Sequence, residues 1–169
     1  VERYVLAGSP IECGTTGPFE RLDDHFAHAC GSYLTSPFSS AAIVVCDHDA
    51  PKVSVWEGRG ANVAAVEWPW TGPGFADVYS MLAAVFGRPS EAGEQRFEAL
   101  ARLRPDHRDD GIGALLGGDA TSLDVSSSLA GAVEQRLAGE SHATGTSGAE
   151  LAASLQTRLG ELFMAFLGE

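Results

Sequence analysis

The segment 23–29 reads Asp-Asp-His-Phe-Ala-His-Ala and concentrates carboxylates and imidazoles in a short stretch. If it is helical, Asp24 and His28 are four residues apart and His25 and His28 three apart, so all three side chains share one face. Imidazole and carboxylate together suit iron, zinc or manganese, with a coordination position left open for a substrate oxygen. The alternative is that Asp23 or Asp24 caps the helix and that the histidines are ordinary surface or core groups. Spacing alone favours this alternative.

A helix must carry these side chains, and the sequence predicts one from Asp23 to about Leu34. Asp23 suits the cap position, apolar residues recur at helical spacing, and Ser36-Pro37 ends the pattern. The unbroken apolar run 41–46 predicts a strand buried on both faces. The alternating residues 53–58 predict a second strand, which pairs with the first as a hairpin.

Helices are expected to dominate the rest of the chain. Apolar periodicity between glycine and proline breaks predicts helices at about 75–86, 91–104, 129–137 and 149–167. Further strands are expected at 4–7 and 64–70, and a loop or the start of a cap segment at 106–121. The expected fold is therefore mixed α/β, with strands first and helices after.

Composition and charge limit the classes of partner. With 11 Lys+Arg against 23 Asp+Glu the formal net charge is −12, and Lys52 is the only lysine. This balance argues against nucleic acid and anionic membranes as partners, since both attract clustered cations. No apolar run is long enough to span a membrane and no signal-peptide pattern is visible, so we expect a cytoplasmic protein that acts on a small molecule. The odd set Cys13, Cys30 and Cys46 indicates reduced, buried thiols.

Two other segments hold residue types that bind ligands. Trp68-Pro69-Trp70 is expected to pack against the sheet, with stacking on a base or sugar as the alternative. The charged run 106–110 is expected to be a solvated loop rather than a ligand cluster.

The segment 23–29 is followed by Ser36-Pro37-Phe38 and by a hydrophobic strand that ends at Asp47. These residues resemble a motif of the O-carbamoyltransferases of nodulation-factor and antibiotic biosynthesis. In that family Asp-His-His-x-x-His-Ala precedes Ser-Pro-Phe and an Asp-Gly turn. Later segments resemble the same family in the same order: 53–58, 74–80, 93–101 and 151–156.

The resemblance implies a partial actin-like ATPase domain of the ribonuclease-H-like kind, a short sheet with flanking helices. Residues 1–138 would be the central part of that domain. Residues 139–148, rich in Gly, Ser and Thr, would be a linker. Residues 149–169 would form a C-terminal helix that leads toward a second half.

The resemblance also implies an activity. It is the transfer of a carbamoyl group from carbamoyl phosphate, through a carbamoyl-adenylate made with ATP, to a hydroxyl of a small natural product. His28 and Asp24 would hold a divalent metal, with His25 as the alternative to Asp24 and iron the expected ion. His25 would be catalytic, and Asp47 and Arg96 would contact the nucleotide.

Three departures from the family pattern bear on this site. Asp24 stands where the family has its first metal histidine, and Arg96 stands where it has lysine. His48 follows Asp47 in place of glycine. A Cβ at position 48 occupies the space in which the backbone would approach a phosphate. Arg96, in contrast, can still bind an anion.

The family's first phosphate loop would precede Val1, and its glycine-rich second half, with a remaining metal aspartate, would follow Glu169. An actin-like site lies between two halves. We therefore expect a fragment of a longer enzyme, a subunit completed by a second polypeptide, or a degenerate domain. The alternative function is a non-catalytic scaffold that binds a protein partner. The net charge disfavours the tRNA modification found in the wider superfamily.

Overall fold

The computed structural model describes residues 4–7, 19–86, 92–138 and 146–168. Within these ranges the chain forms six helices and seven strands, so the expected mixed α/β class is confirmed. The elements divide into two compact units. Unit 1 comprises Val1–Cys46 and Val53–Trp68, and unit 2 comprises Asp47–Lys52 and Pro69–Glu169. Gly87 and Pro89, which are expected to end the helix predicted at about 75–86, lie outside the described residues, and so do residues 139–145 of the expected linker.

Unit 1 contains a parallel strand pair and an antiparallel sheet. The expected first strand, β1 (Tyr4–Ala7), pairs in parallel with β2 (Phe19–Leu22), which was not expected. Helix α1 (Asp24–Leu34) follows and ends before Ser36-Pro37 as predicted. Strands β3 (Ser40–Cys46), β4 (Val53–Arg59) and β5 (Asn62–Val66) form the antiparallel sheet in that order. The predicted hairpin is confirmed, whereas β5 begins and ends earlier than expected.

The expectation that 41–46 is buried on both faces is wrong. Only Ile43 and Val45 of β3 are buried, in the alternating pattern of a strand with one covered face. They form the core of unit 1 with Ala29 and Tyr33 of α1. The apolar run was misleading because alanine, valine and cysteine also occupy the less buried positions of a short antiparallel sheet.

Unit 2 is mostly helical. Helix α2 (Phe75–Val85) and helix α3 (Gly93–Arg102) lie within their predicted ranges. The elements that follow are α4 (Asp110–Gly113), β6 (Leu116–Asp119), β7 (Ser122–Val125), α5 (Leu129–Ala138) and α6 (Thr146–Leu167). Strands β6 and β7 form an antiparallel hairpin, so the order of strands first and helices after does not hold.

The stretch 106–121 was expected to be a loop or the start of a cap, but it contains α4 and β6. Two aspartates account for the difference. The Asp109 carboxylate accepts a hydrogen bond from the Ile112 backbone N–H at 3.1 Å and caps α4. The Asp119 carboxylate accepts from the Thr121 N–H at 2.8 Å and holds the hairpin turn. Hydropathy patterns do not report such local contacts.

Helix α6 supplies much of the core of unit 2. The apolar spacing that predicts this helix is confirmed, with Phe163 half-buried and these residues buried: Leu151, Leu155, Leu159, Leu162 and Phe166. The helix begins at Thr146 rather than Ala149, so the expected linker is wrong for residues 146–148, which belong to α6. Trp70 packs on Phe75 of α2 and Phe166 of α6, with ring centroids 5.5 and 5.6 Å away. Aromatic packing is thus confirmed for Trp70, but on helices and not on the sheet.

None of the helices in the described ranges is long and apolar enough to cross a membrane.

Cys46, the last residue of β3, is expected to be a slow nucleophile. Burial raises the pKa of its thiol from 9.0 to about 11, and only the thiolate is alkylated. Iodoacetamide at pH 8 should therefore modify Cys46 about 100-fold more slowly in the native chain than in urea, as measured by mass spectrometry of its peptide. Stability should fall as pH rises from 9 toward 11, because the unfolded thiol ionises first. Equal rates in the two states would contradict this burial.

Candidate functional site

The N-terminus of α1 positions the candidate metal ligands. Asp23 is the cap residue, and its carboxylate accepts a hydrogen bond from the Phe26 backbone N–H at 2.8 Å. Asp23 therefore caps the helix, and Asp24 lies in the first turn of the helix. A negative charge there is favoured by the helix dipole.

Asp24 and His28 come together as the spacing predicts. Oδ1 of Asp24 lies 3.6 Å from Nε2 of His28, and the His28 side chain is 59% exposed. Two ligands about 2.1 Å from one tetrahedral or octahedral ion are separated by about 3.0–3.4 Å, so a small side-chain rotation would let both atoms bind one ion. The donor set of one carboxylate oxygen and one imidazole nitrogen suits a borderline divalent ion. Without an ion the pair is a surface contact of little stabilising value.

His25 is directed into the core of unit 1. It is 3% exposed, and its Nδ1 lies 2.6 Å from Oγ of Ser54 on β4. Within the described ranges its Nε2 has no hydrogen-bond partner. The expected shared face therefore holds for Asp24 and His28 but not for His25, because adjacent helical residues differ in direction by about 100°.

The residues around His25 were not singled out from the sequence. The Trp56 indole Nε1–H donates to Ser54 Oγ at 2.8 Å, and the Trp56 ring lies 5.6 Å from the ring of Phe26. Residues 54 and 56 share one face of β4 because side chains alternate along a strand. The sequence therefore indicates that Ser54 and Trp56 lie on the same face of β4. It does not indicate which of the two faces of β4 is covered by α1.

The two residues expected to contact a nucleotide belong to unit 2. Asp47 opens the turn 47–52: its backbone N–H donates to the Lys52 carbonyl at 3.1 Å, and its carboxylate accepts from the His48 N–H at 2.6 Å. Arg96 lies in the second turn of α3 and is exposed. The charged run 106–110 is mostly exposed, as expected, and its Asp109 also forms an ion pair with Arg136.

Comparison with known proteins adds no relative: no family model matches the chain, and no curated protein matches it. The resemblance to the O-carbamoyltransferases rests on the ordered motifs of the sequence.

Proposed function

We propose that this chain is a carbamoyltransferase-like domain with a partial actin-like ATPase fold. In this proposal it takes part in the transfer of a carbamoyl group from carbamoyl phosphate, through carbamoyl-adenylate, to a hydroxyl of a small natural product. The observation that carries the proposal is the pair of half-buried Asp24 and exposed His28, 3.6 Å apart at the metal-ligand positions of the motif. The order of the later segments, 53–58 through 151–156, supports it.

Each predicted site residue has a part in this proposal. Asp24 and His28 hold a divalent metal, with iron the preferred ion; when bound, it would neutralise phosphate charge and polarise a carbonyl. The resemblance also assigns Arg96 and Asp47 to the nucleotide; both belong to unit 2, where the exposed guanidinium of Arg96 can bind an anion. His25 acts through α1 as a positioning residue, because its buried hydrogen bond to Ser54 ties α1 to β4.

A scaffold role is the second candidate, and exposed apolar side chains favour it. Met164 and Leu167 are exposed at the end of α6 in unit 2; in unit 1, Leu34, the last residue of α1, and Phe38 beyond the helix are exposed. Met164 and Leu167 are three residues apart on α6 and so adjacent on its surface, and contiguous exposed apolar groups mark protein-interaction sites. In the scaffold proposal these residues bind a protein partner, and in the enzyme proposal they meet the second half or a second polypeptide that completes the site.

Metal binding by the purified chain tests the role of the pair. We expect Mn²⁺, and Fe²⁺ under anaerobic conditions, to bind with a stoichiometry near one in calorimetry. His28→Ala should weaken binding by at least about tenfold, because even a lost supporting partner weakens metal sites about 10–100-fold. His107→Ala removes an imidazole elsewhere and should leave affinity within about twofold. Equal affinity in His28→Ala and the parent chain would overturn the metal role.

An assay of adenylate formation distinguishes the enzyme proposal from the scaffold proposal. Release of pyrophosphate from ATP that depends on carbamoyl phosphate would support the enzyme proposal and exclude a purely structural role. A chain that binds the metal yet releases no pyrophosphate, alone or with a supplied second half, would overturn the enzyme proposal and leave the scaffold.

A further inference from the structure

A second group of chemically active side chains lies within unit 2, where the turn 47–52 packs against the start of α2. Gly74 caps α2, and a Cβ at this position would lie 3.0 Å from both Cβ and the carbonyl oxygen of Lys52. The absence of a side chain at Gly74 therefore allows the turn to approach the helix closely. This approach brings His48 beside α2.

The Asp77 carboxylate connects the turn to the helix. Its Oδ2 accepts a hydrogen bond from the Gly74 N–H at 3.0 Å. Its Oδ1 accepts from Lys52 Nζ at 3.2 Å and lies 3.2 Å from His48 Nδ1. Partial burial raises the pKa of this carboxyl, but the hydrogen bonds from Gly74, His48 and Lys52 outweigh it and lower the pKa below its usual value. Asp77 is therefore ionised at neutral pH.

Ser80 completes the arrangement one helical turn after Asp77. Its Oγ lies 3.4 Å from Nε2 of His48. An ionised carboxylate can only accept, so the hydrogen bond with Asp77 requires the proton of a neutral His48 to be on Nδ1. Nε2 is then unprotonated and faces the Ser80 hydroxyl. Carboxylate, imidazole and hydroxyl thus stand in the order of a Ser-His-Asp triad.

We propose that Ser80 is a nucleophile for activated esters, with His48 as its general base and Asp77 as the residue that orients His48. His48 is exposed and within reach of an arriving substrate. His48 also occupies the position at which the O-carbamoyltransferase motif has glycine. The site is therefore built on a residue in which this chain departs from the motif, and it does not depend on the carbamoyl-transfer proposal.

The reaction has two balanced steps. Oγ of Ser80 attacks the ester carbonyl carbon while its proton passes to Nε2 of His48; the bond to the alcohol oxygen then breaks, and that oxygen takes the proton from His48. Water next attacks the acyl-serine with His48 again as base, and it releases the acid and regenerates the hydroxyl. The net reaction is ester plus water to acid plus alcohol.

The position of Ser80 limits the substrate class. It is the sixth residue of α2, so its own backbone N–H is used within the helix and cannot donate to an oxyanion. Without that donor the tetrahedral intermediate is less stabilised. We therefore expect esters with good leaving groups, such as p-nitrophenyl esters, and fluorophosphonates to react, and amides to remain intact.

Glu94 provides a competing base. Ser80 Oγ also donates to Oε1 of Glu94, and a hydroxyl has one proton to give. If His48 is the base, Glu94→Gln should keep the reactivity of Ser80. If Glu94 is the base, Glu94→Gln should abolish reactivity while His48→Gln keeps it.

Labelling with a fluorophosphonate probe tests the proposal on the full chain. We expect the probe on Ser80, located by peptide mass spectrometry, with no labelling in Ser80→Ala. His48→Gln should lower the labelling rate at least tenfold, whereas Ser126→Ala is the matched serine control and should label as the parent. Unchanged labelling in Ser80→Ala or His48→Gln, with unfolding midpoints preserved, overturns the proposal.

The role of Asp77 needs a separate comparison because Asp77 also stabilises α2. Asp77→Asn and Lys52→Met both break the ion pair, but only Asp77→Asn removes the charge that holds Nδ1–H of His48. Asp77→Asn should therefore lower the labelling rate at least tenfold further than Lys52→Met. Equal losses would mean that Asp77 acts only on stability and would overturn its orienting role.

Discussion

Replacing Phe97 with alanine is expected to lower the free energy of unfolding by about 3–5 kcal/mol. Phe97 of α3 is 0% exposed. Its ring meets Tyr79 edge-on at a centroid distance of 5.3 Å and lies 5.2 Å from the ring of Phe86. Alanine removes all of these contacts and leaves a cavity that the surrounding side chains fill only in part. The loss is a large share of the roughly 5–15 kcal/mol that stabilises a typical domain.

Phe38→Ala provides the matched control, because it removes the same ring from a side chain that is 66% exposed. Its expected loss is within about 0.5 kcal/mol, as for most surface substitutions. Urea unfolding followed by circular dichroism measures both losses. The comparison requires that the free energy of unfolding of the two variants depends equally on urea concentration. A loss below about 1 kcal/mol for Phe97→Ala would contradict its place in the core.

Most helices could be predicted because each has a local signal. The α6 stripe from Leu151 to Phe166 has helical spacing, and Asp23 stands at the cap of α1. Short elements without a repeating apolar pattern could not be predicted in this way. The β6–β7 hairpin depends on the Asp119 carboxylate in its turn, and a hydropathy pattern contains no record of such a bond.

The candidate site was predictable to the extent that helix geometry decides it. The spacing of Asp24 and His28 is enough to bring the two side chains together, because residues four apart are neighbours on any α-helix. The direction of His25 depends on which face of β4 meets α1. The face of β4 that meets α1 carries Ser54, Trp56 and Gly58 rather than Val53 and Val55. Only tertiary packing determines which of the two faces meets the helix.

The arrangement of Asp77, His48 and Ser80 in unit 2 could not be predicted from the sequence, because it too depends on tertiary packing. His48 is 29 residues from Asp77 and 32 residues from Ser80 along the chain. Only the close approach of the turn 47–52 to α2, permitted at Gly74, brings the three together. The resemblance marks His48 only as a replacement for glycine in the turn after Asp47; in the structure, the same imidazole lies beside a carboxylate and a hydroxyl.

Replacing Gly58 with valine is expected to destabilise the chain by about 2–4 kcal/mol, as overpacking together with a lost hydrogen bond. A Cβ at Gly58 would lie 2.7 Å from three atoms of the Tyr33 ring. Tyr33 is 3% exposed, and its hydroxyl donates to the Ser39 carbonyl at 2.8 Å. The ring therefore has to move, although valine itself suits a strand.

Gly31→Ala is the matched control for Gly58→Val within unit 1. An added Cβ at Gly31 meets nothing within 4 Å, and alanine in a helix is favoured over glycine by about 0.5–1 kcal/mol. This variant should therefore gain stability while Gly58→Val loses it. A Gly58→Val chain as stable as the parent would show that the Tyr33 ring does not fix α1 on the sheet.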